Sequence, residues 1–149
     1  MPLSKIIDFL ERIGIPARPA ELPHDTFLPG LTMSGGAVLY DLDRLLYPGD
    51  LLHEAGHVAL TPAAERAELS LDTPFTLGDD LAAIAWSWAA LTHLQLDAAI
   101  VFHDGGYQGN ARAFIENFSN RRFVGVPVLE WLGLTDERRF PEMIKWLRD

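Results

Sequence analysis

The sequence predicts an α+β fold in which a mainly helical single domain, residues 1–149, carries a small antiparallel sheet. Its length of 149 residues and its apolar fraction of 48% fit one domain with a core of ordinary size. Apolar residues recur at helical spacing in several segments. Two short β-prone runs flank the pair Gly35-Gly36, a pattern typical of a two-residue hairpin.

The N-terminal third predicts one helix followed by the hairpin. Apolar residues from Ile6 to Ile13 predict the helix, which Ser4 would cap and Gly14 would end. Residues 15–29 hold four prolines and are expected to form an extended, irregular connection. Residues 31–40 then supply the two strands of the hairpin.

The middle of the chain predicts a second helix over residues 48–59, which begins at a proline. Thr61-Pro62 ends it, because the residue before a proline avoids the helical region. A short helical segment is expected within residues 62–70, and residues 71–77 are expected to form a linker.

The longest predicted helix covers residues 77–96 and is apolar almost all round, which is typical of a buried central helix. The glycine-rich residues 101–109 predict a loop. Asn110 is then expected to cap a helix over residues 111–118.

Two further elements are predicted near the C-terminus. Residues 123–129 are expected to form a short, irregular strand. Pro141 is expected to open a last helix with Met143, Trp146 and Leu147 on one face.

The composition excludes several classes of function. The chain carries 21 acidic and 12 basic residues, a net charge of −9, so it lacks the basic surface that nucleic acids and anionic membranes require. Asp8 and Glu11 interrupt the segment where a signal peptide would be apolar, and no apolar run approaches the ~20 residues of a membrane span. We therefore expect a cytoplasmic protein. With no cysteine, any metal site has to be built from His, Asp and Glu.

One motif carries recognisable chemistry, the run His53-Glu54-Ala55-Gly56-His57 within the second predicted helix. Residues i and i+4 lie about 40° apart around a helix axis, so both imidazoles can face one metal ion. Glu54 occupies the adjacent sector, where it can take a proton from water. Gly56 costs about 1 kcal/mol relative to alanine in a helix, which indicates a steric reason for it.

The segment Leu52-His53-Glu54-Ala55-Gly56-His57 resembles the active-site helix of the zincin superfamily of zinc metallopeptidases. The glycine and third histidine of metzincins do not follow, so the layout is gluzincin-type and most similar to the ImmA/IrrE-type peptidases. The resemblance covers about residues 50–91. It implies a bound Zn²⁺ and a third, acidic ligand at the start of an alanine-rich helix.

The third ligand has five candidates in the sequence, namely Glu65, Glu68, Asp79, Asp80 and His103. Thr76 and Asp79 form a capping-box pattern, which gives Asp79 a structural role. Asp80 leads an apolar stripe with Ile84 and Trp88 and needs a partner, which a metal would supply. Asp80 also matches the acidic position of the family's helix, although the family prefers glutamate there. We favour Asp80 and leave the other candidates open.

Three other residues are secondary candidates. Asp50, three residues before His53, is placed to accept a hydrogen bond from its ring. In zincins a Tyr or His often stabilises the oxyanion of the reaction, and the resemblance suggests His103 or Tyr107 for that role. The resemblance also implies that an extended peptide pairs with a strand edge near the metal helix, here the hairpin.

The leading hypothesis is thus a zinc-dependent metallopeptidase acting on a peptide or protein, with His53, His57 and Asp80 as ligands and Glu54 as the base. One alternative is a metal-binding regulatory or interaction domain with little or no turnover. A second is a metal-free helical domain in which the motif arose by chance.

Overall fold

A small sheet and a set of helices share one hydrophobic core in this protein. The computed structural model describes residues 1–70 and 72–149. The strands are β1 (Ala17–Pro19), β2 (Leu31–Ser34) and β3 (Ala37–Tyr40). The α-helices are α1 (Pro2–Ile13), α2 (Asp50–Leu60), α3 (Leu77–His93), α4 (Ala98–Val101), α5 (Ala111–Ser119) and α6 (Val126–Trp131), and short 3-10 helices cover Ala63–Glu68 and Tyr107–Gly109. The predicted α+β class, with helices dominant, is confirmed.

The sheet is mixed, with strand order β1-β3-β2, so the prediction of an antiparallel sheet was wrong for one of its pairs. The hairpin of β2 and β3 is antiparallel as predicted, and Gly35-Gly36 form its turn with positive φ angles. β1 pairs in parallel with β3 and lies within the segment predicted to be irregular. That segment can still form an edge strand because Pro16 accepts a hydrogen bond from Val38 and its prolines have no N–H to donate outward.

α1 begins earlier than predicted and ends where predicted. Pro2 lies in its first turn, where a proline fixes φ without losing a hydrogen bond, so Ser4 is inside the helix and does not cap it. Gly14 ends it in the left-handed conformation, at φ 99°, and its N–H bonds back to Leu10. The buried face of α1 carries Ile6, Phe9 and Leu10.

α2 and α3 pack against each other in the middle of the protein. α2 ends at Thr61, which is extended as predicted, and α3 buries the Trp86 side chain completely. The 3-10 helix lies within the predicted segment 62–70, and the linker after it runs through residues 72–76. Leu71, the first residue of the predicted linker, lies outside the described residues. None of the described helices has both the length and the hydropathy to cross a bilayer.

The predicted loop at residues 101–109 is more ordered than expected. It holds the last residue of α4 and a 3-10 turn, and Asn110 then occupies the cap position of α5 without a side-chain hydrogen bond.

Two C-terminal predictions were wrong. Residues 123–129 form no strand among the described residues but lead into α6, because Gly125 turns the chain at φ 84° and Pro127 fits the first helical turn. The described residues 141–149 form turns rather than a helix. Their backbone groups bond to other segments: the Trp146 carbonyl accepts from the indole of Trp86, and the Arg148 N–H donates to Ala59.

Candidate metal centre

α2 presents two histidines toward the start of α3. Their rings lie one helical turn apart, with centroids 5.0 Å apart and planes nearly perpendicular. His57 is buried and His53 is half-buried, and the Nε2 atom of each faces the carboxylate of Asp80. The i, i+4 spacing therefore places both imidazoles on one side of the helix, as predicted.

Asp80 enters this arrangement from the first turn of α3. The predicted capping box is confirmed: the Asp79 N–H donates to the Thr76 hydroxyl at 3.0 Å, and the Thr76 N–H donates to the Asp79 carboxylate at 2.8 Å. This cap fixes where α3 begins and turns the next residue, Asp80, toward α2. Its Oδ1 lies 2.9 Å from Nε2 of His57 and 3.7 Å from Nε2 of His53.

Gly56 explains how closely the two helices approach. A Cβ atom at this position would lie 3.0 Å from the carbonyl oxygen of Ala83 in α3 and 3.2 Å from its Cα and Cβ. These distances are shorter than ordinary van der Waals contacts. The structure thus offers a steric reason for Gly56, namely its close contact with α3.

The three side chains fit a metal ion by geometry and by chemistry. One nitrogen or oxygen from each of His53, His57 and Asp80 lies within 4.8 Å of the other two. Ligands at about 2.0–2.1 Å from a tetrahedral Zn²⁺ are about 3.3 Å apart, a value between the two distances to Asp80. Two imidazoles and one carboxylate form a common donor set for zinc.

The imidazoles are held in the form that a metal requires. Burial lowers the pKa of His53 to about 4, with a further contribution from the nearby His57. Burial also lowers the pKa of His57, against the opposing effect of Asp80. Both rings are therefore neutral at pH 7, and a neutral ring offers a lone pair to a cation.

Glu54 lines a cavity of about 380 Å³ together with His53, His57 and Asp80. Burial raises the pKa of Glu54 to about 7, and the charges of Asp50 and Asp80 act in the same direction. A carboxyl group with this pKa can both take and return a proton near neutral pH. The same cavity is lined by Leu31, Thr32 and Met33 of β2.

Asp50 contacts a different histidine from the one predicted. Its Oδ1 accepts a hydrogen bond from Nε2 of His103 at 2.6 Å, and the Nδ1 of His53 is buried with no partner among the described residues. The prediction that Asp50 orients the ring of His53 was therefore wrong. The ring of His103 also stacks on Tyr47, with centroids 3.7 Å apart, so this stacking and the hydrogen bond hold His103 beside Asp50.

Tyr107 lies next to the histidines. Its ring meets that of His53 edge-on at 5.7 Å, and its hydroxyl is buried with no hydrogen-bond partner among the described residues. Burial and the nearby carboxylates raise the pKa of Tyr107 well above its ordinary value, so the phenol keeps its proton. Of the two oxyanion candidates, Tyr107 has its hydroxyl unpartnered, while His103 is bonded to Asp50 through Nε2 and has only Nδ1 without a partner among the described residues.

The other third-ligand candidates lie outside the cluster of His53, His57 and Asp80. Glu65 and Glu68 are exposed on the 3-10 helix and line a neighbouring cavity with Asp79. Sequence reasoning missed Phe75, whose ring stacks on His57 with centroids 4.0 Å apart. A single aromatic residue in a linker carries no signal that would have identified this contact.

Comparisons of the chain with protein-family models, with curated proteins and with solved structures find no match. The resemblance to zincins thus depends on residues 50–91 alone.

Proposed function

We propose that this protein is a zinc-dependent hydrolase that cleaves a peptide or protein, with His53, His57 and Asp80 as the metal ligands. One observation carries the proposal: donor atoms of these three side chains lie within 4.8 Å of one another in a cavity that Glu54 also lines. The resemblance of the α2 motif to zincins supports the same assignment. No second cluster of this kind is found in residues 1–70 and 72–149.

The chemistry follows from the positions of these groups. A divalent ion held there would act as a Lewis acid toward a carbonyl group and toward water. Glu54 takes the proton of the attacking water and returns it to the leaving amine. The buried hydroxyl of Tyr107 is free to donate to an oxygen of the substrate.

β2 offers a place for an extended substrate. It is an edge strand of the sheet, and three of its residues line the cavity that contains Glu54. Peptides commonly bind such edges by adding a strand through backbone hydrogen bonds. This arrangement supports a peptide over a small-molecule substrate.

The test combines metal content with hydrolysis. We expect the purified protein to bind one zinc ion, and to cleave members of a random peptide library read out by mass spectrometry. Glu54→Gln should keep the zinc and lose cleavage by at least about 100-fold, because general acid–base catalysis contributes 10²–10⁴-fold. Protein that takes up no zinc, when dialysed against it and measured by elemental analysis, would contradict the proposal.

The adjacent acids Asp79 and Asp80 provide a matched pair. Asp80→Ala should weaken zinc binding by more than about 100-fold in a competition assay with a chelating dye, since it removes one of three ligands. Asp79→Ala should leave zinc binding within about threefold and cost about 1 kcal/mol of stability, because it removes only the cap. Equal effects of the two substitutions on zinc binding would remove Asp80 from the ligand set.

A metal-binding regulatory or interaction domain is the second candidate function. The observation that favours it is the exposure of Asp80, whose side chain is 53% accessible, so that a partner protein can reach the centre. Zinc bound with no cleavage of any library peptide would support this alternative. The cytoplasmic location and the exclusion of nucleic-acid and membrane partners stay predictions from the sequence.

A further inference from the structure

A second cavity, of about 260 Å³, adjoins the candidate metal centre and shares His53 and Asp80 with it. Part of its wall is apolar and comes from the side chains of Leu81, Ile84 and Phe114. Asp50 and Tyr107 also line it and provide polar groups. Sites for drug-sized ligands occupy about 300–1,000 Å³, so a cavity of this size suits a single side chain.

Two of the residues that line this cavity, Asp50 and Tyr107, each have a buried polar atom without a partner among the described residues. Asp50 is 3% exposed, and of its two oxygens only Oδ1 has a hydrogen bond, from His103. Oδ2 of Asp50 and the hydroxyl of Tyr107 are both buried without a partner among the described residues. Buried polar atoms are normally satisfied, and leaving one unpaired costs about 1–3 kcal/mol. A residue in the wall of the cavity therefore has a buried hydrogen-bond acceptor without a donor.

The charge around the cavity favours a cation. In the described part of the chain, no lysine or arginine lines this cavity or the one that contains Glu54. Four acidic side chains, Asp25, Asp50, Glu54 and Asp80, line the two cavities together, and a divalent ion has only two positive charges to set against them. A positively charged group near Asp50 would thus remain in a favourable field.

We propose that this cavity binds one side chain of the substrate, and that it selects a long aliphatic chain with a cationic end, that is, a lysine or an arginine. The aliphatic stem packs against Leu81, Ile84 and Phe114, and the terminal nitrogen donates a hydrogen bond to Oδ2 of Asp50. This inference rests on the proposed hydrolase function, since it names the substrate class for that site.

Matched hydroxamates test the preference on the zinc-loaded protein at pH 8. The probes are the Nα-acetylated hydroxamates of lysine, norleucine and glutamate, with dissociation constants from calorimetry. Lysine and norleucine differ mainly in the terminal ammonium, so we expect lysine to bind at least about tenfold more tightly, as for a hydrogen bond to a charged group. Glutamate should bind most weakly. Norleucine binding as tightly as lysine would overturn the proposal.

Two substitutions assign the preference to a residue. Asp50→Asn should reduce the ratio of lysine to norleucine affinity to less than about threefold. Asp104→Asn, an exposed position on the same loop as His103, removes the same charge outside the cavity and should leave the ratio unchanged. A ratio that persists in Asp50→Asn overturns the assignment, and the wild-type ratio decides the matter if that variant does not fold.

A metal-free measurement separates this inference from the proposed function. n-Pentylamine, titrated into chelator-treated protein, should shift the aromatic NMR signals of Tyr107 and His103 at a concentration at least about tenfold lower than 1-pentanol requires. Shifts with the amine in a protein that takes up no zinc would support the cavity's selectivity and reject the hydrolase. Zinc-dependent cleavage without amine shifts and without a lysine preference would support the hydrolase and reject the cavity's role.

Discussion

The carboxyl group of the half-buried Glu54 makes the stability of this protein depend on pH. Its pKa is raised to about 7 in the folded protein from an ordinary value of 4.5, mainly by burial. The folded state therefore binds the proton more tightly than the unfolded state does. The stability that this proton contributes is complete below pH 4.5 and is lost as the pH rises through about 7.

The size of the effect follows from these two values. The difference between 4.5 and about 7 corresponds to about 3 kcal/mol in total, at 1.36 kcal/mol for each pH unit. Between pH 5 and pH 8 the wild type should lose about 2–3 kcal/mol of that amount. Glu54→Gln has no proton to lose and nearly the same shape. The difference in free energy of unfolding between this variant and the wild type should therefore grow by this amount over the same pH interval.

Urea unfolding of both proteins after chelator treatment, at pH 5, 6, 7 and 8 and followed by tryptophan fluorescence, measures this difference in free energy. Glu65→Gln is the control, because Glu65 is exposed on the 3-10 helix and its replacement should change stability by less than about 0.5 kcal/mol at every pH. A difference between wild type and Glu54→Gln that stays constant within about 0.5 kcal/mol from pH 5 to pH 8 would refute the reasoning. Glu54 would then ionise as an exposed carboxylate does, and its proposed role as a general base would lose the support of a raised pKa.

Three further predictions concern close contacts and unpaired groups around the site. Gly49→Ala should lower the free energy of unfolding in urea by about 1–3 kcal/mol, because the new Cβ would lie 2.1 Å from a backbone oxygen of α4. Gly78→Ala, whose Cβ would have no atom nearer than 3.6 Å, should leave the stability unchanged or raise it by up to about 1 kcal/mol. Equal effects of the two substitutions would contradict the contact at Gly49. Tyr107→Phe should raise the stability of the metal-free protein by about 1 kcal/mol, because it removes a buried hydroxyl without a partner, and it should lower kcat/KM. A loss of stability would instead show that the hydroxyl is hydrogen-bonded in the folded protein. Gly56→Ala should weaken zinc binding several-fold. Asp80→Glu should restore part of that lost affinity in the Gly56→Ala protein but should not improve zinc binding in the wild type. If calorimetry shows that the effects of the two substitutions on zinc affinity are additive, the two positions are not coupled.

Local signals in the sequence predicted the parts of the fold that depend on near neighbours. The α2 motif has a helical period, and the capping box of Thr76 and Asp79 sets the start of α3, so the place of Asp80 in its first turn could be predicted. The link between Asp50 and His103 could not, because the two residues are 53 positions apart and meet only through tertiary packing.

The C-terminal residues show that a helical pattern in the sequence does not always form a helix. Residues 141–149 have the apolar spacing and the opening proline of a helix, but the described structure satisfies several of their backbone groups through other segments. The N–H of Arg148, for example, donates to Ala59 at the end of α2. A helical period in the sequence indicates which side chains can share one face of a helix. It does not determine which groups the backbone will hydrogen-bond.

Two unusual features of the site explain each other. If the proposed resemblance to zincins holds, Asp80 stands at a position where that family prefers glutamate, and its side chain, one methylene shorter, requires α3 to lie closer to the histidines. A glycine stands in the middle of α2, at a cost of about 1 kcal/mol relative to alanine. Because Gly56 has no Cβ to meet the backbone of Ala83, the helices can approach closely enough for Asp80 to reach 2.9 Å from His57. Asp80 and Gly56 therefore act together, because the packing of the two helices sets the distance between Asp80 and the histidines.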